Sequence, residues 1–334
     1  MRLDRSQAEA LFARIRGLKV AVLGDLMLDE YLFGEVSRIS PEAPVPIVRV
    51  LRERAVLGGA ANVAANLKAV GAEPLVVGTL RNDPAGERLL RLLADLAIRS
   101  EGVVLDSLRP TIIKTRVIGQ QQQMLRIDRE EPGELAQEAV EGLRSSLEKV
   151  LKNASALIVS DYAKGVVGPF VMDTVRELCR VKGLPWIVDP KPSHRHLYQG
   201  ATLMTPNTKE LSELSGLPAK ADAEVASAGR RLAGDLNLGG LLVTRSEKGM
   251  ALFTPDALHR EPWLIPTEAR EVFDVSGAGD TVIAVFSAAV AAGGDWKAAA
   301  MLANAAAGVV VGKVGTATAT PGEILAHYQD QEAL

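Results

Sequence analysis

The sequence predicts an α/β protein built on a mostly parallel, doubly wound sheet, and three observations carry that expectation. Short apolar runs such as Lys19–Gly24 and Ala156–Ser160 alternate with longer stretches of helical period, the order that lays crossover helices on both faces of a parallel sheet. Many of these runs end in polar clusters, among them Ser160-Asp161-Tyr162-Ala163-Lys164-Gly165, Asp189-Pro190-Lys191 and Pro206-Asn207-Thr208-Lys209-Glu210. In open α/β sheets ligands gather beyond the carboxyl ends of the strands, so several such clusters at one edge make a binding crevice. Four further segments, 31–38, 46–52, 111–118 and 122–128, break the alternation and suggest a small separate sheet.

Taken in order, residues 4–16 interleave charges with Ala8, Leu11, Phe12 and Ile15 at helical spacing, which no signal-peptide core would do. Lys19–Gly24 reads as a buried parallel strand, and Asp25 and Asp29 beyond it are candidates for sugar hydroxyls or for turn caps. The prolines of Ile39-Ser-Pro-Glu-Ala-Pro-Val-Pro46 forbid regular helix between the first two short strands. Gly58-Gly59 lets a ligand touch backbone, and Asn62 offers both a donor and an acceptor at the start of a small-residue helix reaching Val70. Strand 74–79 and helix 83–97 make another βα step; Ala156–Ser160, Pro169–Lys182, Trp186–Asp189, 202–205 and 240–244 continue the pattern. Asn207 and Glu210, three apart on a first helical turn, suit either a capping box or a water-held Mg²⁺ near phosphates. His194 and His196 flank Arg195 without a third ligand in view and read as surface or packing residues. An alanine-rich helix over 295–313 carries Asn304, with room for close packing or for an adenine.

The stretch around which the rest is organised is Asp274-Val275-Ser276-Gly277-Ala278-Gly279-Asp280-Thr281, a glycine turn running into the apolar segment 282–292. Its glycines permit positive φ, and amides opening a helix form an anion site. Asp280 sits where transferring phosphate charge would collect and can take a proton from an attacking hydroxyl; Asp274 is placed to hold the turn or a cation. Helix-start amides favour the charged form of Asp280, so it is expected to be ionised and weakly basic. By itself the turn also reads as an Asp-capped helix.

Composition narrows the function classes. The 334 residues are 47% hydrophobic but only 4% aromatic, which fits a core of small aliphatic side chains. Lys plus Arg (38) nearly balances Asp plus Glu (41), so no basic surplus recommends nucleic acid or an anionic membrane as partner, and a small substrate is expected. The single cysteine, Cys179, excludes an internal disulfide and a multi-cysteine zinc site and reads as an inert buried thiol. The longest apolar run falls short of a bilayer span, and the cytoplasm is the expected location.

The ordered set Gly58-Gly59-x-x-Asn62, Asn207-x-x-Glu210 and Asp274-x-x-Gly277-Ala278-Gly279-Asp280 resembles the ribokinase-like (PfkB) carbohydrate kinases over nearly the whole chain. The stretches Asp25-Leu-Met-Leu-Asp-Glu-Tyr31, Arg38-Ile-Ser-Pro-Glu-Ala-Pro-Val-Pro46, Asp161-Tyr-Ala-Lys-Gly165 and Asp189-Pro-Lys191 resemble the branch of that family acting on D-glycero-β-D-manno-heptose 7-phosphate. Many members of that branch are fused to an adenylyltransferase domain with a His-x-Gly-His motif; this sequence has none, and so resembles a stand-alone kinase or a kinase domain.

The resemblance implies one domain over 1–334: a three-layer αβα sandwich with a β lid from about 31–52 and 111–128, binding ATP and Mg²⁺ in the crevice. It makes Asp280 the base, the amides of Gly277, Ala278, Gly279 and Asp280 the anion hole, and Asn207 and Glu210 the metal and phosphate shell. Thr244, Gly249 and Asn304 match nucleotide-side positions; Asp25, Gly58, Gly59, Asn62 and Asp161 match the sugar side. Lys164 and Lys191 match phosphate contacts, Lys164 on the substrate side and Lys191 on the nucleotide side. Val275-Ser276 replaces the family's usual Thr after the first Asp, which leaves a monovalent-cation site near Asp274 open to question. The basic lid residues Lys114, Arg116 and Arg126 are candidates for the sugar's distal phosphate, and the short apolar lid strands for a homodimer interface. The competing readings are another sugar-phosphate kinase, such as a 1-phosphofructokinase-like enzyme, and a non-catalytic sugar or nucleotide sensor.

Overall fold

A computed structural model describes residues 3–332 apart from 121, 132, 259, 270 and 271. Helix α1 (Arg5–Ile15) starts at Asp4, whose carboxylate accepts the Gln7 amide at 2.8 Å while the Gln7 side chain accepts the Asp4 amide at 3.1 Å. That reciprocal pair is a capping box. The chain continues through β1 (Lys19–Gly24), the long strands β2 (Leu26–Ile39) and β3 (Pro46–Gly59), α2 (Ala60–Ala69), β4 (Glu73–Leu80), α3 (Pro84–Asp95) and β5 (Arg99–Leu105). Then come β6 (Ile112–Gly119), β7 (Gln122–Arg129), α4 (Gln137–Val150), β8 (Ala156–Ser160), α5 (Pro169–Lys182), β9 (Trp186–Asp189), β10 (Leu203–Met204), α6 (Thr208–Ser215) and α7 (Asp222–Asp235). The C-terminal part holds β11 (Leu241–Thr244), β12 (Met250–Phe253), β13 (Trp263–Ile265), α8 (Ala278–Ala291), α9 (Trp296–Val311) and α10 (Pro321–Glu332).

Among the described residues, nine strands form the large sheet in the order β13-β12-β11-β10-β9-β8-β1-β4-β5. The pairs from β5 across to β11 are parallel, and β12 and β13 are added antiparallel at one edge. Alternation along β1 shows why three layers result. Val20 and Val22 face a core shared with α1, α2, α8 and α9, whereas Ala21 and Leu23 face a second core built with α4, α5 and α7. A central strand apolar on both faces needs helices on both sides.

The smaller sheet has the order β3-β2-β6-β7, with β2 and β6 parallel and the outer pairs antiparallel. Two of its strands are longer than their pattern predicts: β2 begins at Leu26 and β3 runs to Gly59. The root of β2 is buried on both faces, with Leu26, Met27 and Leu28 each 1% exposed, so no polar alternation marks it as strand. The lid therefore grows directly out of β1 through Asp25, and returns through Gly59 into α2. Gly59 has φ 56°, and a Cβ there would meet the Asp25 carbonyl at 2.5 Å, so this joint admits only glycine. Strands β5, β12 and β13 and helices α4, α7 and α10 add to the elements expected from the sequence; α4 buries Ala139, Leu143 and Leu147 at helical spacing. Cys179 is buried in α5 and its thiol is pushed up to about 12 by burial, as expected of an inert group.

Candidate active site

The glycine turn lies between β13 and α8. Asp274 holds it from both oxygens, one accepting the Ser276 amide at 2.9 Å and the other the Gly315 amide at 3.1 Å. At Gly277, φ is 81° and a Cβ would meet Asn62 Nδ2 at 2.9 Å and the Thr316 methyl at 3.0 Å. The first bond of α8 runs from the Thr281 amide to the Gly277 carbonyl. The Ala278 amide, expected in the anion hole, is instead bonded to the Val275 carbonyl at 3.2 Å and closes the turn. The amides of Gly279 and Asp280 belong to the first helical turn, where the helix itself offers no acceptor.

Asp280 is not a cap. It is 5% exposed; Oδ2 accepts Asn62 Nδ2 at 2.7 Å and Oδ1 accepts the Tyr162 hydroxyl at 3.0 Å. Asn62 is fixed in turn by Asn66, whose Nδ2 donates to the Asn62 carbonyl at 2.9 Å, and the Thr281 hydroxyl donates to Asn66 Oδ1 at 2.8 Å. Helices α2 and α8 are thus joined by a polar chain that ends on the carboxylate. The expectation from the helix start alone, a favoured charge, is reversed in direction. Loss of solvent pushes the Asp280 carboxyl up to about 6, against the lowering effect of the two hydrogen bonds. Asp29 adds to the rise and Lys191 opposes it.

A cavity of about 410 Å³ opens against Asp280. Ser276, Gly277 and Thr316 form the turn side; Met27, Asp29, Gly59, Lys114, Arg116 and Arg126 the lid side; Tyr162, Lys164 and Lys191 the strand-end side. Lys114 and Arg116 alternate along β6, and Arg126 of β7 lies directly opposite Arg116, so the three share one face of the lid. Each has an acidic neighbour. Arg116 Nη1 meets Asp29 at 2.6 Å, Arg126 meets Asp128 at 2.8 Å, and Lys114 Nζ lies 3.5 Å from Asp128 and 3.7 Å from Glu130. Lys164 Nζ meets Glu130 at 2.5 Å. The cavity is positive but internally paired, so an anion entering it competes for cations that already have partners.

Not all the expected sugar-side residues reach this wall. Gly59 does, and Gly58 backs it, since a Cβ at 58 would meet the Asp29 carboxylate at 2.5 Å. Asn62 holds Asp280 rather than lining the cavity. Asp25 is 1% exposed, and its two oxygens accept the Tyr162, Lys164 and Val166 amides at 3.0, 3.0 and 3.1 Å. Asp161 accepts the Tyr198 hydroxyl at 2.6 Å and the Ala163 amide at 2.7 Å, with His194 Nδ1 2.7 Å away. Both carboxylates pin the loop after β8. A strand-end position is shared by side chains that face the crevice and by those that turn back to hold loops, and sequence position alone does not separate them.

On the nucleotide-side residues, Asn207 and Glu210 form the capping box of α6: the Glu210 amide donates to Asn207 Oδ1 at 2.9 Å and the Asn207 amide to Glu210 Oε2 at 3.0 Å. Glu210 Oε1 remains 3.8 Å from Lys191 Nζ. Among the described residues no group of three or more His, Cys, Asp or Glu side chains is arranged to hold a metal ion. Thr244 lies beside Asn207 through a parallel bridge. Gly249 (φ 79°) passes against the Ile265 carbonyl, and Asn304 Nδ2 donates to the Pro266 carbonyl at 2.7 Å, so both converge on the segment after β13. Asp189, at the end of β9, is pushed well above the carboxylate range by burial and by Glu210 and Asp280. The residue that sequence reasoning passed over is Tyr162, visible only as an aromatic inside a polar strand-end cluster.

Residues 18–322 match the pfkB family carbohydrate kinase profile. Bifunctional protein HldE of Desulfatibacillum aliphaticivorans is 46% identical over 313 residues, covering 94% of this chain and 63% of that protein. The protein of the same name from Geotalea uraniireducens is 44% identical over 326 residues, covering 97% and 66%. The chain thus spans just under two thirds of the length of these curated relatives. Arabidopsis thaliana ribokinase, solved with ribose and ATP, superposes with a TM-score of 0.74 at 21% identity, covering 94% of this chain and 99% of that one. Escherichia coli phosphofructokinase-2, solved with potassium, gives 0.77 at 17% identity, covering 95% and 99%; at these identities the likeness concerns the fold alone. By its family match and its fold, this chain belongs to the pfkB family of carbohydrate kinases, with the ribokinase-like architecture.

Proposed function

We propose that this kinase transfers the γ-phosphate of ATP to the anomeric (C1) hydroxyl of D-glycero-β-D-manno-heptose 7-phosphate, giving the 1,7-bisphosphate used to make ADP-heptose for lipopolysaccharide core. The observation that carries this reading is that Asp280 and the lid cations Lys114, Arg116 and Arg126 line one cavity. A base and a basic lid face on one cavity suit an acceptor that already bears a phosphate. The heptose branch is supported by the sequence stretches at 25–31, 38–46, 161–165 and 189–191, and is compatible with relatives called bifunctional. Because the match covers only part of those relatives, any second activity is left to the whole protein. The cytoplasm, where ATP is available, is the proposed location; among the described residues no helix is long and apolar enough to cross a membrane.

In this mechanism Asn62 and Tyr162 hold the Asp280 carboxylate with one donor on each oxygen, leaving further lone pairs for the sugar hydroxyl. The hydroxyl loses its proton late in a loose phosphoryl-transfer transition state, so a base within hydrogen-bond reach suffices. The first-turn amides of Gly279 and Asp280 receive charge from the transferring phosphoryl group, and Lys191 adds a positive charge beside them. The oxygen donors of Asn207 and Glu210, without a closed carboxylate cage, fit a Mg²⁺ held mainly by nucleotide phosphates and water. That ion neutralises phosphate charge when bound. Each Asp274 oxygen holds one amide, so a monovalent cation near the turn would share that carboxylate with the Ser276 and Gly315 amides.

We further propose a homodimer through the lid. Its edge strands β3 and β7 expose Val50, Leu51, Leu125 and Ile127, and a second lid packed across a two-fold axis would cover both edges and faces. The catalytic reading is tested by a coupled ADP-release assay over a sugar-phosphate panel. Preference for heptose 7-phosphate is the expected result; a clear preference for fructose or tagatose phosphate moves the chain to the 1-phosphofructokinase-like reading, and no ADP release with any acceptor favours a sensor.

A further inference from the structure

We infer that Tyr162 is a positioning residue that sets the proton affinity of Asp280 through its hydroxyl. The inference rests on the reading of Asp280 as base and deepens it. Burial leaves the carboxylate little water, so its ionised form depends on the donors the protein supplies, and among the described residues those are Asn62 Nδ2 on Oδ2 and the Tyr162 hydroxyl on Oδ1. The other charged and titratable groups facing Asp280 are Asp29 of the lid and Asp189 and Lys191 at the end of β9. Asp29 disfavours ionisation and the lysine favours it, while the Asp280 charge in turn helps to raise Asp189. Tyr162 also forms part of the cavity wall, so its phenol stands beside the space that the sugar hydroxyl must enter.

The ring is held independently of its hydroxyl. The Tyr162 amide donates to Asp25 Oδ2 at 3.0 Å, and Lys191 Nζ lies over the ring, 5.6 Å from its centroid. The buried Asp25, which sequence suggested as a sugar ligand, thereby acts at a distance by fixing the loop that carries the phenol. Tyr162→Phe removes one oxygen and keeps the ring, its amide and its contact with Lys191. A tyrosine retained only to stabilise the loop would let this change alter melting temperature without altering how Asp280 titrates.

Loss of a hydrogen bond to a buried charged group raises an acid by about one to two pH units. The acidic limb of kcat/KM in Tyr162→Phe is therefore expected to move upward by about that amount. Activity should fall several-fold near neutrality and recover above about pH 9. A second reading needs no substrate: in enzyme carrying ¹³C-labelled Asp carboxyls, the signal absent from Asp280→Asn identifies Asp280, and its titration midpoint should rise in Tyr162→Phe. If that variant does not fold, global replacement of tyrosine by 3-fluorotyrosine, a stronger donor, should move the midpoint downward. A midpoint that does not move, or a kcat/KM lowered equally at every pH, overturns the inference. Should the carboxyl midpoint move while the sugar-phosphate panel releases no ADP, the substrate reading fails and the assignment of Tyr162 stands; robust ADP release with an unmoved midpoint gives the reverse.

Discussion

Replacing Asp280 by Asn separates function from stability, because the structure predicts opposite effects on the two. The introduced side chain can turn its carbonyl oxygen to Asn62 Nδ2 and its amide to the Tyr162 oxygen, since a phenol both donates and accepts, so the local hydrogen bonds survive. What is lost is the proton acceptor, and turnover should drop by roughly 10²- to 10⁴-fold, the usual range for a general base. Stability should rise instead. The folded Asp280 carboxyl is raised from 3.8 to about 6, so its favourable contribution is complete below the unfolded value and is lost as pH rises through about 6. At pH 7 the ionised, buried group then costs about 3 kcal/mol, from a shift of roughly two units. Removing that cost from a 334-residue chain corresponds to a melting temperature higher by about 4 °C. The gain should shrink as pH falls and vanish near pH 4. ADP release and thermal unfolding at pH 4, 6 and 8 measure both sides. Turnover within a few-fold of wild type in a folded variant would sink the role of Asp280 as base, and a melting temperature that falls at pH 8 would sink the argument from burial.

Four other outcomes are expected. Arg116→Ala and Arg126→Ala should raise the KM for the sugar phosphate, and a KM unchanged in both would remove the lid from phosphate recognition. Arg116→Ala should in addition lower stability by about 2 kcal/mol by leaving Asp29 unpaired, whereas the more exposed Arg126 should cost little, a contrast that urea unfolding resolves. Glu210→Gln retains an acceptor for the Asn207 amide and removes the charge, so the melting temperature should hold while the Mg²⁺ concentration for half-maximal rate rises; an unchanged Mg²⁺ dependence leaves Glu210 as a cap alone. Light scattering across a dilution series should give a dimer mass that Leu51→Glu with Leu125→Glu reduces to monomer, and a monomer at every concentration rejects the lid interface.

The alternation of apolar runs with helical periods was enough to read the parallel sheet, because a strand buried between two helix layers must be apolar throughout, as β1 is. The lid segments were legible from the alternation of apolar with polar or basic residues along β6 and β7, whereas the buried root that lengthens β2 and the end of β3 left no such mark. The glycine turn could be placed because Gly277 needs both positive φ and empty space, demands that leave a mark on sequence. Ionisation could not. Next to a helix start Asp280 looks like a favoured charge, and only the packing of α2 against α8 and the loop after β8 shows it stripped of water and held by Asn62 and Tyr162, 218 and 118 residues away in the chain. For the same reason Asp25 and Asp161 resemble ligands in sequence and are loop anchors in the fold: a carboxylate's role depends on which donors reach it, and donors from distant segments are brought together by tertiary structure alone.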